Sequence, residues 1–153
     1  MSKRLSIMKH FPSLKPLLDF SAAMHQYSLE RPLVELVLMR VSQINGCAYC
    51  MDMHSKDARA AGETEQRLYV LAGWREASFY SERERAALAW AEAVTRLGEH
   101  GVSDDVYDHA RAAFSEEELL NLTMVIGMIN TWNRINVAFQ TPAGSYQPAK
   151  QAA

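Results

Sequence analysis

The sequence predicts an all-α fold, and three observations carry that expectation. Apolar residues recur three and four positions apart through most of the chain, the period of a helix that buries one face. Two capping boxes, Ser81-Glu82-Arg83-Glu84 and Ser115-Glu116-Glu117-Glu118, mark helix starts. No stretch of useful length alternates apolar and polar residues as a half-buried strand would. At 153 residues the chain is long enough for one core and is expected to form a single domain over 1–153.

The elements follow in order. Ser13 is placed to cap a helix from Leu14 to about Tyr27, with Leu14, Leu17, Leu18 and Ala22 at helical spacing. Pro32 suits the first turn of a second helix through Ile44, because its missing N–H is not needed there. Asn45-Gly46 stops that helix, since both residues tolerate left-handed backbone. A third helix opens at Cys47 and ends near Ala61-Gly62, and Thr64 caps a shorter fourth through Leu71. The Ser81 box leads a fifth to about Leu97, with Leu88, Ala91, Val94 and Leu97 on one face. Ser103-Asp104-Asp105 starts a sixth that ends near Phe114, and the Ser115 box a long seventh to about Phe139. Residues 141–153, with Pro142, Gly144 and Pro148, read as a C-terminal tail that orders only by docking.

Composition excludes several classes. The formal charge is −2 and no basic cluster interleaves with aromatics, so nucleic-acid binding is not expected. The longest apolar run, Leu122 to Ile129, is far short of the roughly 20 residues a membrane span needs. Met1-Ser2-Lys3-Arg4 leads into Lys9, His10, Pro12 and Lys15 rather than an apolar signal core, so a cytoplasmic location is expected. The second and seventh helices are apolar nearly all round and need partners on several sides. Self-association is the expected consequence.

The chemistry concentrates at residues 47–54. The two cysteines of the chain stand together as Cys47-Ala48-Tyr49-Cys50, with His54 four residues on. A thiolate at a helix N-terminus is stabilised by unpaired backbone N–H groups and the positive end of the helix dipole. The spacing lets the two sulfurs meet. His54 shares a helical face with Cys50, within reach as a proton acceptor or relay. Glu35 interrupts the apolar run Leu33–Leu38, where a carboxylate is costly unless paired. Folded back at Asn45-Gly46, the second helix would bring Glu35 toward His54 or the cysteines.

A structural zinc site is the rival, since Cys47, Cys50, His54 and Glu35 could supply four ligands. Structural zinc draws its second pair from distant Cys or His residues, and no further cysteine exists. A c-type haem is excluded because Met51 follows Cys50. Buried pairing as small hydrophobes, a general thiol–disulfide oxidoreductase and a redox sensor whose disulfide alters assembly are further alternatives. His10, His25, His100 and His109 lack a partner pattern and are expected at the surface; the methionines are expected to fill core gaps. Asn130, Asn133 and Asn136, three apart, form a stripe that could line a site or a subunit interface, but solvated helix surface is the expectation, as it is for Lys56, Asp57 and Arg59.

Glu35 followed by Cys47-x-x-Cys50-x-x-x-His54 resembles the alkylhydroperoxidase AhpD core of the carboxymuconolactone decarboxylase family. Arg31–Leu36, Asn45-Gly46 and His54–Gly62 extend the likeness, which covers roughly residues 20–110. The resemblance implies an AhpD-like helical domain with the cysteine pair on a central helix hairpin, assembled as a homo-oligomer, a trimer or hexamer. It implies an antioxidant thiol-dependent peroxidase that uses no cofactor. Glu35 and His54 would relay the proton, Cys50 would attack the peroxide, Cys47 would resolve the sulfenic acid, and a dithiol donor would reduce the disulfide. The helix-dipole argument taken alone favours Cys47 as the attacker. Tyr49 departs from the AhpD proteins that use a lipoyl-linked reductant, which carry a histidine there. Decarboxylase members lack the cysteine pair, so muconolactone decarboxylation is not expected.

Overall fold

The computed structural model describes residues 4–148, which form seven α-helices; among them, β-structure is confined to an isolated bridge between Gly98 and Gly101. Helix α1 (Phe11–Ala23) is flanked by 3-10 turns at Ile7–His10 and Met24–Gln26. It starts three residues before the expected Leu14, because Pro12 fits the first turn without losing a bond, so Ser13 lies inside the helix rather than capping it. Helices α2 (Arg31–Ile44) and α3 (Ala48–Ala60) match the expectation closely. Thr64 caps α4 (Glu65–Val70) by accepting from the Arg67 N–H. Both capping boxes are formed, at α5 (Glu82–Thr95) and at α7 (Glu116–Phe139). Helix α5 ends before Leu97, which is exposed, because Arg96 leaves helical backbone ahead of the Gly98–Gly101 turn. Ser103 precedes α6 (Asp104–Ala113) without a side-chain cap bond.

Helix α2 explains how one small chain covers an all-round apolar helix. Leu33, Val37 and Val41, four apart, pack with Ala87 and Ala91 of α5 and with Leu122, Ile126 and Ile129 of α7. Leu36 and Met39, turned away from them, pack with Ala58 of α3, Leu68, Leu71, Trp74, Tyr80 and Leu88. The chain itself thus supplies partners on both sides of α2.

One charged cluster is buried beside this core. Glu92 of α5 accepts from Arg40 Nε at 2.7 Å and Trp74 Nε1 at 3.0 Å, and pairs with Arg75. Burial pushes its carboxyl up, but the bonds from Arg75, Trp74 and Arg40 outweigh that and hold it below the ordinary value.

The described part of the tail, to residue 148, lies against α3; residues 149–153 lie outside the described residues. Gly144 N–H donates to Asp52 (3.0 Å), Lys56 Nζ donates to the Tyr146 carbonyl (3.0 Å), and the Tyr146 hydroxyl bonds the Asp57 carboxylate (2.8 Å). Lys56 and Asp57 are therefore not simply solvated, as expected from the sequence; they are the tail's docking points. Among the described residues, no helix is long and apolar enough to cross a membrane.

Candidate active site

The turn between α2 and α3 shapes the site from the backbone up. Gly46 takes left-handed backbone (φ 66°), Gly46 N–H bonds the Gln43 carbonyl and Cys47 N–H bonds the Ser42 carbonyl. These two bonds form a Schellman motif that closes α2. Cys47 is at the same time the N-cap of α3, its sulfur accepting from the Cys50 N–H at 3.3 Å. The end of one helix and the start of the next are thus joined at a sulfur atom.

Both thiols are free and buried. The hydrogen bond from Cys50 lowers the Cys47 thiol, against its burial, with help from the Cys50 N–H, Asn133 and the His54 charge, to about 7. Cys50 moves the other way: its bond to Cys47, its burial and repulsion from the Cys47 charge push it up, opposed by Asn133 and Asn136. The two thiols thus move in opposite directions because they share one hydrogen bond, which makes Cys47 the sulfur that ionises first and leaves the proton on Cys50.

Glu35 and His54 meet as their spacing suggested. His54 Nδ1 lies 3.2 Å from Glu35 Oε2, and both side chains are more than nine-tenths buried. With a carboxylate accepting from Nδ1–H, neutral His54 presents Nε2 as an acceptor. That Nε2 is buried and has no partner among the described residues. Glu35, His54 and Asp57 also bring ligand-type atoms within 4.8 Å of one another. The cysteine sulfurs are not in that group, so the four-ligand zinc arrangement considered from the sequence is not assembled.

Helix α7 supplies what was misjudged from the sequence. Asn133 and Asn136 are buried, not solvated: Asn133 Nδ2 donates to Ser42 Oγ (3.1 Å), and Asn136 Nδ2 donates to Cys50 Sγ (3.4 Å). Asn45 Nδ2 bridges Asn130 and Asn133, each at 2.9 Å, tying the α2–α3 turn to α7. The three-residue spacing was the available signal, and the missing fact was that α7 turns this stripe toward the cysteines.

A cavity of about 1030 Å³ opens onto these groups between α1, α2, α3, α7 and the tail. Cys50, His54, Glu35, Asp57, Tyr49 and Asn136 are on its wall, while Cys47 is not. The remainder is mostly apolar, with Phe11, Leu14, Leu18, Leu38, Met128 and Trp132 among it. His25, expected at the surface, is exposed and borders the cavity as well.

The model of the carboxymuconolactone decarboxylase family matches residues 14–93, more than half of the sequence. The chain belongs to this family. It is 43% identical to the uncharacterized protein YdfG of Bacillus subtilis over 95% of its own length and 99% of that protein's. A protein of unknown function from Agrobacterium tumefaciens, named as a candidate AhpD antioxidant defence protein, has the same fold with a TM-score of 0.90 and 39% identity, over 95% of this chain and 100% of that one. The debrominase Bmp8, solved with 2,3,4-tribromopyrrole, shares the fold at a TM-score of 0.80 and 23% identity, over 90% of this chain and 74% of that one. The resemblance inferred from Glu35 to His54 therefore holds for the family and for the all-α, AhpD-like fold. The fold is thus shared with a protein named as a debrominase, and does not by itself specify one chemistry.

Proposed function

We propose that this family member is a thiol-dependent peroxidase in which Cys50 attacks a hydroperoxide and Cys47 resolves it. The observation that carries the proposal is the placement of Cys50 and His54 on one cavity wall, with Cys47 behind Cys50 and outside the cavity. A peroxide entering that cavity meets the Cys50 sulfur first.

The chemistry balances with these residues. Moving the Cys50 proton to His54 Nε2 leaves the charge on Cys50. The Cys50 sulfur donates its electron pair to the terminal oxygen of ROOH, the O–O bond breaks, and RO⁻ leaves. The proton taken from the thiol returns to RO⁻ through His54, so Cys50–SH and ROOH become Cys50–SOH and ROH. Glu35, accepting from Nδ1–H, supports the imidazolium that forms in between. The Cys47 sulfur then attacks the sulfenic sulfur and hydroxide leaves, taking the Cys47 proton, or one from solvent where Cys47 is already ionised, to give the Cys47–Cys50 disulfide and water. A dithiol donor returns two electrons and two protons by exchange through a mixed disulfide. Tyr49 puts a phenol, not an imidazole, on the cavity wall between the cysteines.

The test is mass spectrometry and thiol titration of reduced protein with cumene hydroperoxide. Loss of both thiols per chain, a Cys47→Ser protein that stops at a dimedone-trapped sulfenic acid on Cys50, and an inert Cys50→Ser protein are expected. Unchanged thiols in the native protein overturn the proposal. Thiol loss with a disulfide substrate and none with hydroperoxide would reassign the site to thiol–disulfide exchange.

Self-association as a trimer or hexamer, in the cytoplasm, belongs to the same proposal. Leu120 and Met124, four apart on α7, are exposed, as are Met8 and Phe11 near the cavity mouth. Light scattering that finds only a 17.3 kDa species would refute it.

A further inference from the structure

We propose that Asn136 is a further catalytic residue, whose amide holds the negative charge on Cys50 with Nδ2 and receives the O–H of the bound hydroperoxide with Oδ1. This rests on the peroxidase assignment for its second half and stands without it for its first.

Two observations place both ends of the amide. Asn136 Nδ2 lies 3.4 Å from Cys50 Sγ, a normal length for a donor to sulfur. Asn136 Oδ1 is buried and has no partner among the described residues, on a side chain only 5% exposed that forms part of the cavity wall. Buried amide oxygens are nearly always bonded, so an unpartnered one on a cavity-lining residue beside a nucleophile points to a ligand that brings a donor. The Cys50 proton is directed to Cys47, so its sulfur accepts on the Asn136 side, which fixes the amide with Nδ2 toward sulfur and leaves Oδ1 as the free acceptor.

The other unpartnered buried atom on this wall, His54 Nε2, has the complementary character. Once it holds the Cys50 proton it is a donor, and the cavity then offers one acceptor, one donor and a nucleophilic sulfur. A hydroperoxide matches all three. Its terminal O–H donates to Asn136 Oδ1, its inner oxygen accepts from His54 Nε2–H, and its terminal oxygen receives the sulfur lone pair. As the O–O bond breaks, the pair leaves on RO⁻ and the His54 proton goes to it. The terminal O–H stays on the oxygen now bound to sulfur, still held by Asn136 as Cys50–SOH.

The same contact bears on how readily the charge reaches the reacting sulfur. In the resting pair ionisation favours Cys47, which is not on the cavity wall. The Asn136 donor lowers the cost of moving the charge to the cavity-facing sulfur.

The experiment uses full-length protein in a Cys47→Ser background, where Cys50 titrates alone among its titratable neighbours His54, Tyr49 and, behind His54, Glu35. Cys50 alkylation by iodoacetamide is followed by mass spectrometry from pH 6 to 10, with Asn136→Ala and the isosteric Asn136→Asp beside it. Loss of the donor is expected to slow Cys50 alkylation at pH 7 about tenfold and move its midpoint upward, more for Asp than for Ala. With Cys47 restored, the rate of Cys50 sulfenic acid formation with cumene hydroperoxide is expected to fall by about ten- to a hundredfold. Superimposable alkylation profiles in both variants, with helical spectrum and thermal midpoint intact, overturn the proposal. Should Asn136→Ala misfold, the profile of Asn136→Asp decides it alone. A shifted alkylation profile in protein that never reacts with hydroperoxide supports the thiolate contact and overturns the peroxide assignment, so the two failures are distinguishable.

Discussion

Glu35 shows how a single residue can be read from its local context. A carboxylate inside Leu33–Leu38 has to find a partner, and it finds His54 at 3.2 Å. In the proposed reaction its charge matters because it stabilises the imidazolium that carries the Cys50 proton. Glu35→Gln keeps the size and an acceptor oxygen but removes the charge, so about a hundredfold loss of hydroperoxide turnover is expected with the fold intact. Steady-state assays paired with circular dichroism measure this, and unchanged turnover would remove Glu35 from the relay. Asn136 was not legible in the same way. Asparagine is common on solvated helices, and its sequence neighbours Ile135 and Val137 do not say which side of α7 faces the cysteines.

At the scale of elements, the α2–α3 turn and the tail each carry a measurable expectation. Gly46 adopts φ 66°, and an added Cβ there meets nothing within 4 Å, so backbone strain alone sets the effect of Gly46→Ala. A loss of about 1–2 kcal/mol in urea unfolding is expected. A neutral result would mean that the Schellman closure does not depend on glycine. The tail is held by Tyr146, whose hydroxyl pushes up to about 12 through burial and its bond to Asp57. Tyr146→Phe should free Asp57 and raise amide exchange over residues 142–147 with α3 unaffected; unchanged exchange would show that Gly144 and Lys56 suffice. Helix boundaries were legible at Pro32, Thr64, Ser81 and Ser115 because these are local signals, while Pro12 moved the first helix start ahead of the expected one. The docking of the tail was not, because it depends on Asp52, Lys56 and Asp57 lying roughly ninety positions away in sequence.

For the whole molecule, the buried Arg40–Glu92 pair is the most exposed point of failure. Glu92→Leu leaves Arg40 without its buried partner and is expected to cost about 3–5 kcal/mol, most of it recovered in the Arg40→Leu, Glu92→Leu double variant. Chemical denaturation of the single and double variants checks this, and simple additivity would show the pair to be uncoupled. The pH effect has a definite sign. The folded carboxyl is held below its ordinary value, so its contribution is complete above about pH 4.3 and is lost as the pH falls through the lowered folded value. Thermal midpoints at pH 7 and pH 3 should narrow toward each other in Glu92→Leu relative to the native chain.

The sequence by itself determined the all-α architecture, the helix starts and the association of Cys47, Cys50, His54 and Glu35, because these depend on short periodic spacing and on capping chemistry. The tertiary structure decided which sulfur faces the cavity, that Asn133 and Asn136 are buried against the cysteines, and that the tail closes over α3. Each of those depends on how a helix is rotated about its axis by contacts from distant parts of the chain. Neither capping signals nor helical period specify that rotation; the packing of α7 against α2 and α3 does.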